Sequence, residues 1–346
     1  MKKAEREDIF RFLEQEVIPL IEKHYPDVAS EMIVHVNDFA AGTGDLPHHP
    51  DAIIYLEDRL WASKGGHVQL LLETSLEAWE ESEGIDGSRH CVGAWVHPLS
   101  WLRELRRFLD TRAEAPADLP WEEIPVERFY EVQHAPVLRD TKGVFAHLKD
   151  ATRPELYPSW LWEKHLIVGL RELMENLCYC QRALLEGRGI EANIMLSGVI
   201  PDALRLGFFV HRRYYPAHPH LRWAFEQLPA PADAVLAHVD TAASSGDPAG
   251  RLAALTAARD IYIAHVADKN LLPTLNLKSP NMGLGDLGPW EELHQELLWA
   301  GRCEAGSNPK WRDWVTDCQR QAAEAGHAEH WWIYSLWDIK RKVSHI

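Results

Sequence analysis

The chain has 346 residues, room for one large or two ordinary domains, and 46% of them are apolar, enough for a substantial core. Lysine and arginine total 36 against 52 aspartate and glutamate, a formal charge of −16, which argues against a general nucleic-acid binder with a basic stripe and leaves room for a local basic pocket. Five cysteines (Cys91, Cys178, Cys180, Cys303 and Cys318) are too few and too scattered for a disulfide framework.

The N-terminal residues MKKAEREDIF lack the apolar core of a signal peptide, and no run of 18 apolar residues stands in the chain, so the sequence predicts a cytoplasmic protein with no membrane partner. Residues 5–24 read as an amphipathic helix on the spacing of Ile9, Phe12, Leu13, Val17, Leu20 and Ile21, with Pro19 expected to bend or break it. MIVHVN (32–37), AIIYL (52–56) and HVQLLL (67–72) read as strands, with Gly65-Gly66 punctuating the gap before the third. CVGAWV (91–96) is a weaker strand candidate, and residues 99–110 read as a helix.

The acidic, proline-rich stretch AEAPADLPWEEIP (113–125) suits a connector. From about residue 160 the pattern is helical: 160–186, then 193–213 with Leu196, Val199, Ala203, Leu206 and Val210 on one stripe and Pro201 expected to kink it. Asp247-Pro248 opens a helix at about 249–267; further helices are expected from Pro289 to Gly301, from Asn308-Pro309 to Gly326, and over the tryptophan-rich 328–343. The expected fold class is α+β: a small mixed-sheet domain over 1–115 followed by an all-helical domain over 116–346.

FAAGTGDLPHHPDAIIYLED (39–58) is the first chemical candidate. Gly42, Thr43 and Gly44 could let backbone amides approach a triphosphate closely. Asp45, Asp51, Glu57 and Asp58 then form a carboxylate pool for Mg²⁺, with Asp51, Glu57 and Asp58 as the catalytic set for transfer from an NTP. The plain alternative is a solvated turn with acidic neighbours, since Gly-Thr-Gly is not the P-loop pattern. Short histidine pairs (His48-His49, His218-x-His220, His327-x-x-His330) would need two further converging ligands to hold zinc. In VHRRYYPAHPHLRW (210–223), Arg212, Arg213 and Arg222 offer planar forks for phosphate oxygens. Arg212 and Arg213 equally suit the C-terminal end of a helix, and the rings of Tyr214, Tyr215 and Trp223 either stack on a base or pack. Fifteen tryptophans most simply supply core bulk.

Residues 120–230 resemble a largely uncharacterised bacterial family with a nucleotidyltransferase-like front domain and a helical rear domain. EVQHAPVLRDTKGVFAHLKD (131–150) looks like that family's segment in which an apolar pair is followed by Arg-Asp and then Gly. LYPSWLWEKHL (156–166) is similar to its Tyr-Pro entry into a long helix, and Tyr179 and Arg182 stand where the family often has Asn-Tyr-Pro-Arg. The most specific similarity is LGFFVHRRYYPAHPHLRWAFEQLP (206–229), which carries the family's Arg-Arg-Tyr-x-Pro. At the front, AGTGD is similar to the family's Gly-Ser-type loop and HVQLLLE to the strand after its acids, but no Asp-x-Asp pair stands between them. The resemblance implies a nucleotidyltransferase-like fold, an NTP as substrate, Mg²⁺ as cofactor, and phosphate contacts from Gly42, Thr43, Gly44, Arg212, Arg213 and Tyr214. Three readings stay open: Mg²⁺-dependent transfer of a nucleoside monophosphate to a small-molecule acceptor, a decayed transferase fold that binds or regulates, and altered chemistry in the same pocket, motivated by His35, His48, His49 and His67. The acidic balance favours a small or cationic acceptor over nucleic acid; the oligomeric state is left open.

Overall fold

A computed structural model describes residues 6–37, 51–84, 93–110, 119, 121–272, 320 and 324. The chain divides into two compact units, Met1–Tyr157 and Pro158–Ile346. The joint expected at 115/116 lies outside the described residues, as do the helices expected beyond residue 272.

Unit 1 opens with one helical run: α1 (Arg6–Phe12), a π turn (Leu13–Val17) and α2 (Ile18–His24). Pro19 does not break it. The ladder widens to a π turn just ahead of the proline, which then occupies the first positions of α2, where a missing N–H is tolerated. Ile9, Phe12, Leu13, Val17 and Ile21 are all buried. The short α3 (Pro26–Ala29) leads into the sheet.

Four strands, β1 (Ile33–Asn37), β2 (Asp51–Leu56), β3 (Gly93–Pro98) and β4 (Val137–Asp140), lie in the order β3-β2-β1-β4. β1 is antiparallel to β2 and β4, and β2 is parallel to β3, so the sheet is mixed. Successive strand side chains alternate faces. Val34, Val36, Ala52, Ile54, Leu56 and Val96 pack into the hydrophobic core with α1, α2 and α3. His35, Ile53, Tyr55, Trp95 and His97 take the other face.

HVQLLL is not a strand. It begins α5 (Gly66–Glu83), which follows the short α4 (Asp58–Leu60) and a π turn (Trp61–Gly65). Val68, Leu72, Leu76 and Trp79 are buried at helical spacing while Leu70 is 62% exposed, a pattern that a six-residue window cannot distinguish from a strand. Parallel pairing of β2 with β3 also requires a crossover of this length.

Residues 99–110 form a 3₁₀ segment (Leu99–Leu105) and α6 (Arg106–Asp110). After the expected connector come a 3₁₀ turn (Trp121–Glu123), α7 (Val126–His134), β4, and α8 (Val144–Ala151). β4 was not expected from the sequence: four residues, all half-buried, are too short to show alternation. The Arg-Asp…Gly motif is structural here. Asp140 accepts hydrogen bonds from the backbone N–H groups of Val144 (2.8 Å) and Ala146 (2.9 Å), and Gly143, at φ 67°, takes the left-handed turn that starts α8. Trp121 lies buried among Phe108, Phe129 and Tyr157, with ring centroids 4.7, 5.3 and 5.4 Å away. This cluster ties α6 to α7.

In unit 2 every described element is helical: α9 (Ser159–Leu185), α10 (Gly189–Val210), a 3₁₀ turn (His218–His220), α11 (Leu221–Phe225), α12 (Ala232–Ser244) and α13 (Pro248–Asp268). Asp247 caps α13 by accepting from the N–H groups of Ala249 and Gly250. Pro201 sits inside α10 without ending it. By length and composition α10 could cross a membrane, but it carries the unit's core residues Leu196, Val199, Ala203, Leu206 and Phe208 and packs against α9 and α13.

Gly207 marks the tightest approach in this packing. A Cβ there would meet Phe225 Cε2 at 2.3 Å and the Tyr262 hydroxyl at 2.8 Å, and that hydroxyl donates to the Ala203 carbonyl at 2.7 Å. Helix propensity alone would favour alanine by about 1 kcal/mol, but overpacking of a rigid ring costs about 1–3 kcal/mol and the buried hydrogen bond is displaced as well. Gly207→Ala is therefore expected to lower the urea midpoint at unchanged m-value; a midpoint at or above wild type would show that the ring gives way freely.

Candidate functional site

Gly42, Thr43, Gly44 and Asp45 lie outside the described residues. The described residues on either side of them belong to the sheet. β1 ends at Asn37, β2 begins at Asp51, and these two residues pair across the antiparallel ladder. Residues 38–50, between them in sequence, lie outside the described residues. Glu57 and Asp58 follow the opposite end of β2. A strand rises about 3.3 Å per residue, so six residues separate Asp51 from Glu57 by roughly 20 Å, whereas two catalytic metals sit about 3.5–4 Å apart.

The expected catalytic set Asp51, Glu57 and Asp58 is therefore not brought together, and the metal set Asp45, Asp51, Glu57 and Asp58 cannot surround one ion. Glu57 instead lies 3.4 Å from Lys142 Nζ, which also reaches Glu31 at 3.5 Å, and Glu31 pairs with Arg59 at 2.8 Å. Asp58 accepts a hydrogen bond from the Ser100 N–H at 2.9 Å and so joins α4 to the 3₁₀ segment after β3. Among the described residues, no three His, Cys, Asp or Glu side chains group to hold a metal.

Arg212, Arg213 and Tyr214 follow α10 in unit 2. The Arg213 N–H bonds the Phe208 carbonyl (2.9 Å) and the Arg212 N–H the Phe209 carbonyl (3.0 Å), with Arg212 at φ 51°. This is a Schellman cap in which arginine takes the position glycine usually holds. Both arginine side chains are exposed. Tyr214 is 2% exposed and packs 5.5 Å from Trp162, and Tyr215 is edge-on to Phe209 at 5.5 Å, so both rings belong to the core and are not presented as stacking platforms. Arg222 pairs with Glu226 and, at 2.9 Å, with Asp240 of α12. Cys178 and Cys180 both lie on α9, and burial pushes the Cys180 thiol up to about 11, away from reactive thiolate character.

A cavity of about 320 Å³ opens on the outer face of the sheet in unit 1. Its floor is two cross-strand rows, His35–Ile53–Trp95 and Tyr55–His97, set by the ladder registers. The 3₁₀ segment contributes Trp101, Leu102 and Leu105, α7 and the residue after it contribute Arg128, Glu131, Val132 and Ala135, and α8 contributes Phe145. His35 stacks on Tyr55 (centroids 5.6 Å, 15°) and lies 5.0 Å from Phe145. His97 lies between Trp95 (6.2 Å, 8°) and Trp101 (3.7 Å, 13°). Trp95 and Trp101 are 51% and 56% exposed, so tryptophan here forms the mouth of a cavity as well as core.

His35 is 5% exposed, and among the described residues neither ring nitrogen has a hydrogen-bond partner. Burial lowers its pKa to about 4, against a smaller opposing contribution from the Val36 backbone, with still smaller lowering contributions from Lys149 and His97. Burial likewise raises Tyr55 to about 12 and lowers His97. Arg128 and Glu131 pair at 2.7 Å on the α7 wall. The cavity is thus ring-walled, with the Arg128–Glu131 ion pair on one wall and a neutral imidazole whose nitrogens are buried. Of the sequence candidates among the described residues only His35 lines it, and His48 and His49 lie outside the described residues. The histidine signal pointed there, but the ring wall was hidden because Trp95 and His97 join it only once the register of β3 is known.

The family model for a domain of unknown function, DUF4037, matches residues 121–224. That span coincides with the segment in which the sequence resembles a largely uncharacterised family, and it covers a minority of the chain. Among solved structures, a nucleotidyltransferase-like protein from Exiguobacterium sibiricum 255-15 is similar at 12% identity and a TM-score of 0.34, over 85% of this chain and 90% of that one. An overlap so loose carries nothing about chemistry. No curated protein matches the chain.

Two measurements follow from this geometry. Folded His35 titrates near 4 and an unfolded histidine near 6.5, so between those values only the unfolded chain takes up the proton. Stability present above pH 6.5 is lost as the pH falls toward 4, by up to about 3 kcal/mol. In His35→Leu, the drop in unfolding free energy between pH 7 and pH 4.5 should shrink by about 2–3 kcal/mol relative to wild type, the other histidines cancelling in the comparison; an equal drop in both proteins would place His35 in contact with solvent. Separately, Arg212→Gly relieves a left-handed arginine and should raise stability by up to about 1 kcal/mol in thermal melts, while Arg213→Ala should show no such gain.

Proposed function

We propose that the chain is a small-molecule-binding protein of nucleotidyltransferase-like ancestry, in which unit 1 captures its ligand without a carboxylate-bound metal cluster. One observation carries this reading. Two positions after Asp51 on β2, where an Asp-x-Asp pair would place its second acid, stands Ile53, and Ile53 is a wall of the ring-lined cavity. The described residues do not fit a Mg²⁺ cluster, since Glu57 and Asp58 lie at the far end of the strand and serve a lysine contact and a backbone N–H. The ligand is a small molecule, and a cytoplasmic location belongs to this proposal.

A second reading is favoured by the sequence between β1 and β2, where Gly42, Thr43, Gly44 and Asp45 stand between the paired Asn37 and Asp51 and small residues could let backbone amides approach a triphosphate. Transfer from an NTP would then rest on Asp45 and Asp51 alone.

Pyrophosphate release separates the two. Full-length protein with Mg²⁺, each of the four NTPs and a panel of amino and hydroxyl acceptors is expected to release none above the blank. Release that is abolished by Asp51→Ala and kept by Asp58→Ala would establish transfer and overturn the binder.

A further inference from the structure

We infer that Trp61 and Gln69 guard the outer edge of β3 and keep it from pairing with the same edge of a second copy of this chain. The guard concerns how unit 1 meets other chains and is independent of what unit 1 binds.

The need for a guard comes from the place of β3 in the sheet. In the order β3-β2-β1-β4 it pairs with β2 alone, so its other side is an edge. An edge strand turns a row of N–H and C=O groups outward and is a template for a further strand. The sequence adds to the risk, because CVGAWV (91–96) contains no charge and no proline and includes Val92, Trp95 and Val96, which favour strands. Trp95 is 51% exposed, so an opened edge would offer apolar surface as well as backbone groups. The opposite edge strand, β4, has only four residues, and Arg139 and Asp140 among them are charged. Shortness and charge both blunt an edge; β3 has neither.

Side chains from the crossover between β2 and β3 take the outward groups instead. Along a strand, successive residues turn their backbone groups to opposite sides. Val96 turns outward: its N–H donates to Gln69 Oε1 at 2.7 Å, and its C=O accepts from the Trp61 indole N–H at 3.0 Å. Ala94 and Pro98 share that side, and Pro98 has no N–H to offer. The central outward residue is therefore closed in both its donor and its acceptor, and the last one lacks a donor. A ladder with an incoming strand needs those same groups.

The two guards are themselves held in place. Gln69 donates through Nε2 to Glu73 Oε1 at 2.7 Å, which leaves its Oε1 directed at Val96. Trp61 is seated over Gly65, where a Cβ would meet the ring at 2.8 Å, so glycine makes the room that brings the indole to the strand. At 42% exposure Trp61 stands at the surface, where an approaching strand would have to displace it. A second copy is the partner this edge fits, because a two-fold axis sets one surface against itself and so brings two identical edges together.

Sedimentation velocity over a concentration series tests this on full-length protein. Trp61→Phe combined with Gln69→Leu keeps the bulk of both side chains and removes both bonds to Val96. The double variant is expected to self-associate at least about tenfold more tightly than wild type. Adding Ala94→Pro, which removes an outward N–H at a position where an edge strand accepts proline, should return association to the wild-type level. Association no tighter than wild type would overturn the inference. So would tighter association that Ala94→Pro leaves in place, since it would then run through exposed side chains and not through the strand edge. Hydrogen exchange on the wild-type protein decides the matter even if the double variant does not fold. The Val96 amide should exchange within about tenfold of the rate of Ile54 in the central strand β2; faster exchange would show an unguarded edge and sink the proposal.

Discussion

Strand alternation on β1 and β2 is the constraint from which the rest of unit 1 follows. With Val34, Val36, Ala52, Ile54 and Leu56 committed to the helical side of the sheet, their neighbours have no choice of face. His35, Ile53 and Tyr55 are carried to the other side whatever their chemistry. A slip of one residue would bury Tyr55 and His35 against α1 and α5 and turn five core residues outward. The apolar core thus fixes the register, and the register sets the cavity floor. The parallel partner β3 then brings Trp95 beside Ile53 and His97 beside Tyr55.

The same constraint explains why the expected acids do not converge. Residues separated along a strand are spread by its rise, and no packing can fold Glu57 back toward Asp51. The acids past the end of β2 meet instead what lies at that end of the sheet: Lys142, from the turn after β4, and the backbone of the 3₁₀ segment after β3. Lys142 sits between Glu31 and Glu57, and Arg59 pairs with Glu31, so two carboxylates and two cations form a surface network. Each such contact contributes little by itself. Together they account for acids that sequence spacing alone made look catalytic.

Much of the architecture was legible in the sequence, and what was not has local causes. β1 and β2 declare themselves by β-branched runs, and α9, α10 and α13 by long apolar stripes that end at sensible caps. The π turn before Pro19 was not foreseeable, because proline chemistry predicts a disturbance and not the form it takes. HVQLLL misled because a short apolar run carries no period, and only burial at Leu72, Leu76 and Trp79 with exposure at Leu70 reveals the helix. β4 escaped because four residues cannot display alternation. At the site, Arg212 looked like a phosphate fork and is the left-handed residue of a helix cap, a role set by backbone geometry that no side-chain pattern announces. His35 was visible as a histidine near the loop, but its isolation among rings depends on three strands and two helices meeting.

A folded chain is usually consistent at every level, and departures from that consistency mark either strain or use. Unit 1 obeys the rule closely on its core side: apolar strand residues face apolar helix residues, and Asp140 and Gly143 supply the start of α8. The outer face breaks it in three ways within one cavity. A histidine is buried with neither nitrogen partnered among the described residues, two tryptophans stand half exposed on neighbouring elements, and rings fill positions that leucine or valine would pack more simply. Any one of these would be unremarkable on a surface of this size. They gather on the face that the core does not need, where the registers of β1, β2 and β3 decide which side chains meet and the apolar core places no demand on their chemistry.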